Sequence, residues 1–126
     1  MVISVNCLGL LDQIAALPAH LWAGFSKSKA YLYEFSHVPV DKPGFPNYGA
    51  FHTSEVPFAL HTLHLWKRPW REIDFEVEKS MNGYWINFVK KGNPNGDGLP
   101  EWSSYDKSSG SIMVVGDKPE IMPTLY

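Results

Sequence analysis

Residues 48–58 read Tyr-Gly-Ala-Phe-His-Thr-Ser-Glu-Val-Pro-Phe, and the rest of the chain is organised around this stretch. It follows a strand-like run and a connector rich in proline, and its small residue Gly49 lets the chain turn sharply. A histidine on a loop just beyond a buried strand can present its ring at the carboxyl edge of a sheet. That edge is where α/β proteins place their chemistry. His52 is therefore the first candidate for a catalytic residue.

The segment before this loop predicts a helix followed by a strand. Apolar residues recur at three- and four-residue spacing over residues 8–27, with a break expected at Pro18. Residues 30–36, Ala-Tyr-Leu-Tyr-Glu-Phe-Ser, are rich in aromatics and predict the best strand of the chain. Alternation puts its aromatic side chains on one face, namely Tyr31, Tyr33 and Phe35.

Two helices are predicted after the loop. Residues 55–65 favour a short helix, whose candidate core residues are Phe58, Leu60, Leu63 and Leu65. Asp74 is expected to cap a long helix that reaches about Lys90, and Gly92 suits the left-handed position just past its end. The apolar positions of the long helix keep the 3.6-residue period: Val77, Met81, Tyr84, Trp85, Phe88 and Val89.

The last part of the chain predicts a β-hairpin after a turn cluster at residues 93–98. Its two short strands are expected at residues 103–106 and 111–115, joined through residues 107–110. Residues 117–126 are interrupted by prolines and predict an irregular tail.

Length and composition restrict the class of protein. A chain of 126 residues holds one domain at most, and its 44% hydrophobic and 19% charged residues indicate a globular fold. The net charge of −2, with basic residues scattered, gives no nucleic-acid footprint. Cys7 is the single cysteine, no apolar run suits a membrane span, and no signal peptide is predicted. These features leave the cellular location unknown.

Two groups of residues resemble the type-B carboxylesterases, the α/β-hydrolase family that includes the cholinesterases. The first group matches the histidine loop of that family in register: Gly49, His52, Glu55, Pro57 and Phe58. Thr53 stands where the family commonly has glycine. The second group matches the family's tail at set distances: Tyr84, Trp85, Phe88, Gly92, Pro94, Asn95, Gly96, Pro100, Trp102 and Tyr105. The resemblance covers residues 30–115, and more weakly the preceding helix.

The resemblance implies the carboxyl-terminal part of an α/β-hydrolase: a sheet strand, the histidine loop, a long helix and a terminal β-hairpin. Residues 1–126 are then a single carboxyl-terminal segment of a carboxylesterase domain, incomplete as a fold. The intact parent would hydrolyse a small-molecule carboxylic ester without metal or cofactor. This chain alone is expected to be inactive, because in the family the serine and the acid of the triad lie upstream of the histidine.

The resemblance also implies roles for single residues. A serine esterase needs an imidazole within about 3 Å of the serine hydroxyl to move its proton, and His52 would supply it. Glu55 is expected to be a buried carboxylate that supports the loop rather than the acid of the triad. The chain has no Gly-x-Ser-x-Gly nucleophile elbow, and its nearest approach, residues 24–28, closes in serine. The nucleophile is therefore absent from this chain.

Other interpretations remain open at this point. His61 and His64 stand three residues apart and with His52 suggest a metal site, but we expect ordinary exposed histidines. The chain is alternatively an inactive truncated product, or a cholinesterase-like binding or adhesion module. Removal of upstream strands would leave the strand at residues 30–36 with an unpaired edge, so we expect self-association through that edge. We expect no membrane contact, because no apolar run is long enough to span a membrane.

Overall fold

The computed structural model describes residues 2–5, 21–22, 24–106, 108 and 110–123. Its strands are β1 (Val2–Val5), β2 (Tyr31–Phe35), β3 (Ser111–Val115) and β4 (Pro119–Pro123). Its helices are α1 (Val56–Ala59) and α2 (Glu72–Lys91), with a 3-10 turn at Leu63–Leu65 between them. Of the helix predicted over residues 8–27, residues 21, 22, 24 and 25 are helical and residues 26 and 27 are not. The remainder, with the expected break at Pro18, lies outside the described residues.

The four strands form one sheet in the order β1-β2-β3-β4. Strand β2 runs parallel to β1 on one side, with Tyr31 opposite Val2, and parallel to β3 on the other, with Tyr33 opposite Met113. Strand β4 then pairs antiparallel with β3. The expectation that β2 has an unpaired edge is therefore wrong, because residues from the chain's own amino-terminal part complete its pairing. In the described sheet the outer edges belong to β1 and β4.

The terminal hairpin lies further along the chain than predicted. Its two strands are β3 and β4, joined through residues 116–118, and residues 103–106 form no strand. This segment runs along the start of β2 instead: Trp102 before it and Tyr105 within it are buried, and the Tyr105 N–H donates to the Ala30 carbonyl at 2.8 Å. The tail was expected to be irregular because of its prolines, but an edge strand tolerates proline.

Helix α2 packs on the aromatic face of β2, as the alternation of that strand predicts. The core holds Tyr31, Tyr33, Phe35, Phe58, Leu63, Val77, Met81, Tyr84, Trp102, Met113 and Val115. Trp102 sits at its centre, with edge-on ring contacts to Tyr31, Tyr33 and Tyr84 at centroid distances of 5.9, 5.7 and 5.3 Å. Its indole Nε1 donates to the Leu32 carbonyl at 3.2 Å, so the buried polar atom of this side chain is satisfied.

The long helix follows its prediction with small differences. Helix α2 begins at Glu72 rather than at Asp74, and it ends at Gly92, whose φ of 67° is the left-handed conformation expected there. Its predicted inward positions are buried or half-buried except Val89, which is 78% exposed. Val89 follows Phe88 by one position and so lies about 100° further around the helix axis. No helix among the described residues has the length and apolar character needed to cross a membrane.

The short helix predicted over residues 55–65 is split in two. Helix α1 ends at Ala59, and the chain then turns through His61, whose positive φ of 56° breaks the helix before the 3-10 turn. This break changes which apolar side chains face inward. Phe58 and Leu63 are buried as predicted, whereas Leu60 and Leu65 are 65% and 71% exposed. The inclusion of Leu60 and Leu65 in the core was therefore wrong.

The turn after α2 explains why the tail pattern has its particular residues. The Asn95 side chain forms two hydrogen bonds with the backbone of Trp102: it accepts from the N–H at 2.6 Å and donates to the carbonyl at 2.9 Å. A Cβ at Gly96 would lie 2.4 Å from the Asn87 amide nitrogen, so a larger residue would displace that side chain from its 3.1 Å hydrogen bond to the Pro94 carbonyl. Asn95 and Gly96 thus hold the segment that carries Trp102 into the core.

Candidate active site

His52 lies in a tight turn that its neighbours hold in place. The Ser54 N–H donates to the Phe51 carbonyl at 2.9 Å, which closes a β-turn with His52 and Thr53 at its centre. Thr53 has a φ of 72°, the left-handed conformation that the third position of such a turn often requires. Glycine adopts this conformation more easily than a β-branched residue. The backbone of the turn therefore accounts for the glycine expected at this position, and Thr53 adopts the same conformation at some cost.

The segment before the turn also has a defined shape. Gly49 has a φ of 68°, and its N–H donates to the Asn47 side-chain oxygen at 2.7 Å. The rings of Tyr48 and Phe51 then meet edge to face at 6.3 Å. These contacts fix where the loop turns, so the position of His52 follows from local interactions on both sides.

The His52 side chain is exposed, whereas Glu55, three residues further along the chain, is buried. Within the described residues the structure gives the His52 ring no hydrogen bond or ion pair, whereas Glu55 is 8% exposed at the start of α1. The Glu55 carbonyl accepts from the Ala59 N–H at 2.9 Å, which ties the turn to the first turn of that helix. An exposed imidazole with both nitrogens open can accept a proton from an approaching hydroxyl.

Ser54 is next to the turn but does not fit the role of a nucleophile. Its Oγ is buried, and it is the one buried side-chain polar atom of the described residues that has no hydrogen-bond partner. A nucleophilic serine needs an accessible Oγ and a base within hydrogen-bonding distance. Ser54 has neither, which agrees with the absence of a nucleophile elbow from the sequence.

An apolar cavity of about 550 Å³ opens beside His52. It is lined by Pro39, Phe51, Thr53, Ser54, Val56, Pro57, Phe58, Leu60, Thr62, Trp66, Arg68 and Trp70. The residues on either side of His52 belong to this lining, as does Pro39 from the segment that leaves β2. His52 therefore lies in the chain between two residues that line a concave apolar surface, although it does not line that surface itself.

His61 and His64 lie next to each other, and His61 forms an ion pair with a buried carboxylate. Their ring centroids lie 6.2 Å apart, and His61 Nδ1 lies 3.1 Å from Oε2 of the buried Glu78. Glu78 also accepts from the Leu63 N–H at 3.0 Å, so this carboxylate joins the segment after α1 to α2. Across the described part of the chain, histidines, cysteines and acidic residues form no group of three or more that could hold a metal ion.

A buried histidine that sequence reasoning left without a role lies at the end of β2. His37 is 1% exposed, and both of its ring nitrogens face carboxylates. Nε2 lies 2.7 Å from Asp74 Oδ1, and Nδ1 lies 2.8 Å from Asp117 Oδ1. The Asp74 carboxylate is fully buried, whereas the Asp117 side chain is 73% exposed. His37 therefore joins the end of β2 to α2 and to the connection between β3 and β4.

Arg71 completes this network from the other side of Asp74. Its Nε and a terminal nitrogen donate to Asp74 Oδ2 and Oδ1 at 3.0 and 2.8 Å, and its backbone N–H donates to Oδ2 at 2.7 Å. Burial by itself raises the pKa of Asp74. The hydrogen bonds from Arg71 and His37 outweigh that effect and lower the pKa to about 2. Asp74 was expected to be the capping residue, but the N-cap of α2 is Arg71. Asp74 is the third helical residue, and its carboxylate accepts from the Arg71 N–H.

The contacts of His37 exclude it as a catalytic base. A base must reach the proton of a bound substrate or nucleophile, and a buried ring with carboxylates on both nitrogens cannot. The sequence offered one signal for this network, the capping pattern of Asp74. Its partner His37 lies 37 residues away, so no local spacing connects the two.

The fold of this chain is similar to part of two solved esterases. Its structure matches a thermophilic PNB esterase with a TM-score of 0.66 at 22% identity, over 90% of this chain and 26% of that protein. An esterase from Clostridium hathewayi that hydrolyses aliphatic aromatic polyesters matches with a TM-score of 0.67 at 24% identity, over 89% of this chain and 24% of that protein. At these identities the likeness establishes a fold: the chain has part of an α/β-hydrolase fold, as its sequence predicted.

The sequence comparisons then give the family. The model of the carboxylesterase family matches residues 9–125, so the chain belongs to that family. It is 34% identical to a human (Homo sapiens) cocaine esterase over 103 residues, which is 78% of this chain and 18% of the relative. It is 37% identical to an acylcarnitine hydrolase from Rattus norvegicus over 75% of this chain and again 18% of the relative. The chain thus spans less than a fifth of the length of these relatives.

Proposed function

We propose that this chain supplies the general acid and base, His52, of a serine carboxylesterase whose nucleophile and triad acid come from sequence outside it. The observation that carries the proposal is the exposed His52 ring on a held turn beside an apolar cavity. Membership of the carboxylesterase family supports the class of reaction. The substrate class is a small carboxylic ester.

The proposed mechanism assigns two proton transfers to His52. Its ring takes the proton from a serine hydroxyl as that oxygen attacks the ester carbonyl, and then donates the proton to the departing alcohol. The acyl-serine that remains is hydrolysed when His52 takes a proton from water and returns it to the serine. A carboxylate from outside this chain would orient the ring. Glu55, buried three residues after His52, would hold the loop in position.

The isolated chain is expected to be inactive, which is also what the alternative of a truncated product requires. Without a nucleophile or an oxyanion hole, it should hydrolyse nitrophenyl acetate no faster than free imidazole at equal concentration. The measurement is nitrophenol release by the purified chain and by His52→Ala. A saturable, His52-dependent rate with an initial burst would contradict the absence of a nucleophile.

A chimaera tests the proposal itself. This chain would replace the matching quarter of the thermophilic PNB esterase, which it covers to 26%. We expect the chimaera to hydrolyse nitrophenyl acetate with an acyl-enzyme burst, because His52 would meet the recipient's serine. A second chimaera carries residues 49–58 alone. If the first chimaera fails to fold, the second still tests the proposal. Two chimaeras that melt cooperatively without turning over ester would overturn the proposal.

A binding or adhesion module is the second candidate function, but no described feature favours it. An adhesion surface has no need of an exposed imidazole on a turn that requires a left-handed residue at Thr53. The enzymatic proposal accounts for both features.

Self-association of the isolated chain stays a prediction, and it now concerns a different strand. In the described sheet β1 pairs with β2 alone, and no strand of the described residues pairs with its outer edge. A strand edge of this kind can pair with another chain. The opposite edge strand, β4, begins and ends with proline, which discourages such pairing. We expect light scattering over a concentration series to show a mass above that of the monomer. A constant monomer mass would contradict this prediction.

A further inference from the structure

The cavity beside His52 has the size and lining of a small-molecule site. Its volume of about 550 Å³ falls within the usual range for ligand pockets, roughly 300 to 1,000 Å³. Most of its lining residues are aromatic, aliphatic or proline, and the rings of Phe58 and Trp70 are in edge-on contact at 6.1 Å. The Trp70 indole donates to the Leu63 carbonyl at 2.9 Å, so this wall is fixed in place. Such walls favour a ligand with an apolar body.

Arg68 gives the cavity a positive charge. Of the described residues that line it, Arg68 is the only charged one. Its guanidinium is held by a 3.0 Å hydrogen bond to the Val40 carbonyl and lies 5.6 Å from the Trp70 ring centroid. Among the described residues no carboxylate forms an ion pair with it, and a guanidinium has five donors in all. Arg68 therefore has donors left for an anionic ligand group.

A second, more polar cavity shares part of its lining with the first. It has a volume of about 290 Å³ and shares Pro39, Phe51, Trp66 and Arg68 with the apolar cavity. Its other charged residues are Asp41 and Lys42, whose charges cancel. With Arg68, the lining therefore carries one net positive charge. The Asp41 carboxylate already accepts a hydrogen bond from the Asn47 side chain. Arg68 thus marks the boundary between an apolar compartment and a polar, net-positive one.

We propose that these joined cavities bind a monomeric aliphatic carboxylate, with its chain in the apolar compartment and its carboxylate at Arg68. An arginine fork accepts a carboxylate through two parallel hydrogen bonds, and the apolar walls exclude water from the chain. A cationic head would be repelled by the two net-positive linings, and an alcohol would forgo the charged hydrogen bonds. The site does not depend on His52 being a catalytic base, because His52 is not part of either lining.

Tryptophan fluorescence of the full chain measures this binding, since Trp66 and Trp70 line the apolar compartment. The probes are sodium decanoate, decanol and decyltrimethylammonium, each below the concentration at which it forms micelles. We expect saturable binding, tightest for decanoate. We also expect octanoate, which is shorter by two methylene groups, to bind about fifteenfold more weakly than decanoate, because each methylene group contributes roughly fourfold. Equal affinity for the three head groups, or no saturable binding, would overturn the proposal.

Two charge variants separate the site from a general effect of charge. Arg68→Gln should weaken decanoate binding about tenfold and leave decanol binding unchanged, which also shows that the variant is folded. Lys67→Gln removes the neighbouring exposed charge, which belongs to neither lining, and should leave both affinities unchanged.

Equal losses in Arg68→Gln and Lys67→Gln would overturn the assignment of the carboxylate to Arg68. Binding to vesicles of anionic lipid without binding to monomeric decanoate, or signals that follow the protein's own association, would do the same. The experiment uses no ester turnover. Loss of activity in a His52 variant with intact decanoate binding therefore bears on the catalytic proposal alone.

Discussion

Asp74→Ala is expected to lower the free energy of unfolding by about 3–5 kcal/mol, because it leaves a buried ion-pairing network without its central carboxylate. Asp74 is fully buried, and its carboxylate contacts His37 and both the side chain and the backbone of Arg71. Its removal leaves the buried His37 Nε2 without this hydrogen-bond partner, and the Arg71 N–H at the start of α2 loses its acceptor. Such a loss is a large part of the roughly 5–15 kcal/mol that stabilises a typical domain. Urea denaturation followed by circular dichroism measures it.

Asp117→Ala is the matched control, since Asp117 contacts the other nitrogen of the same imidazole. The Asp117 side chain is 73% exposed, so water can replace it, and we expect a loss below about 1 kcal/mol. Similar losses for the two variants would show that burial of the carboxylate is not what makes Asp74 important.

The same network predicts how stability depends on acid. The pKa of Asp74 falls from an ordinary 3.8 to about 2 in the folded chain, so the folded state holds this proton less tightly than the unfolded state. The resulting stabilisation is complete above the unfolded value and is lost as the pH falls through the folded value. It amounts to roughly 2 kcal/mol. Asp74→Asn should flatten the fall in stability between about pH 4 and pH 2 relative to the unchanged chain.

In the active chimaera, His52→Ala is expected to lower kcat by about 10⁴-fold, because the serine then has no base to take its proton. KM should change little, since the imidazole acts on the reacting atoms and not on the bound ester. The measurement is steady-state hydrolysis of nitrophenyl acetate, with melting temperature as a check on folding.

His64→Ala provides the comparison for this prediction. His64 is an exposed histidine on the 3-10 turn, outside the turn that carries His52. It should leave kcat within about twofold. A chimaera that keeps its activity without His52, or loses as much without His64, would contradict the role given to His52.

Local patterns were sufficient for the elements that pack on one another. The alternation in residues 30–36 predicted which face of β2 enters the core, and the period of α2 predicted Val77, Met81 and Tyr84 as buried. Gly92 was predicted because a helix end needs a left-handed residue, and its φ of 67° agrees. These features depend on neighbours in the chain, which a sequence displays directly.

Features that depend on distant partners were missed. The pairing of Val2–Val5 with β2 joins residues about 29 positions apart, and no pattern in either strand indicates the other. The second strand of the hairpin was expected at residues 103–106, but it is β4 at Pro119–Pro123, whose prolines argued against a strand until the fold placed it at a sheet edge. For the site, the motif predicted the loop and Glu55 as a buried carboxylate, but the contacts of His37 and the cavity with Arg68 required the fold.

The most direct test of His52 as the general base is its distance from the nucleophile in a crystal structure of the active chimaera. The account predicts that His52 Nε2 lies within hydrogen-bonding distance, about 3 Å, of the recipient's serine Oγ. A ring turned into solvent, with another group of the recipient in contact with that oxygen, would contradict it.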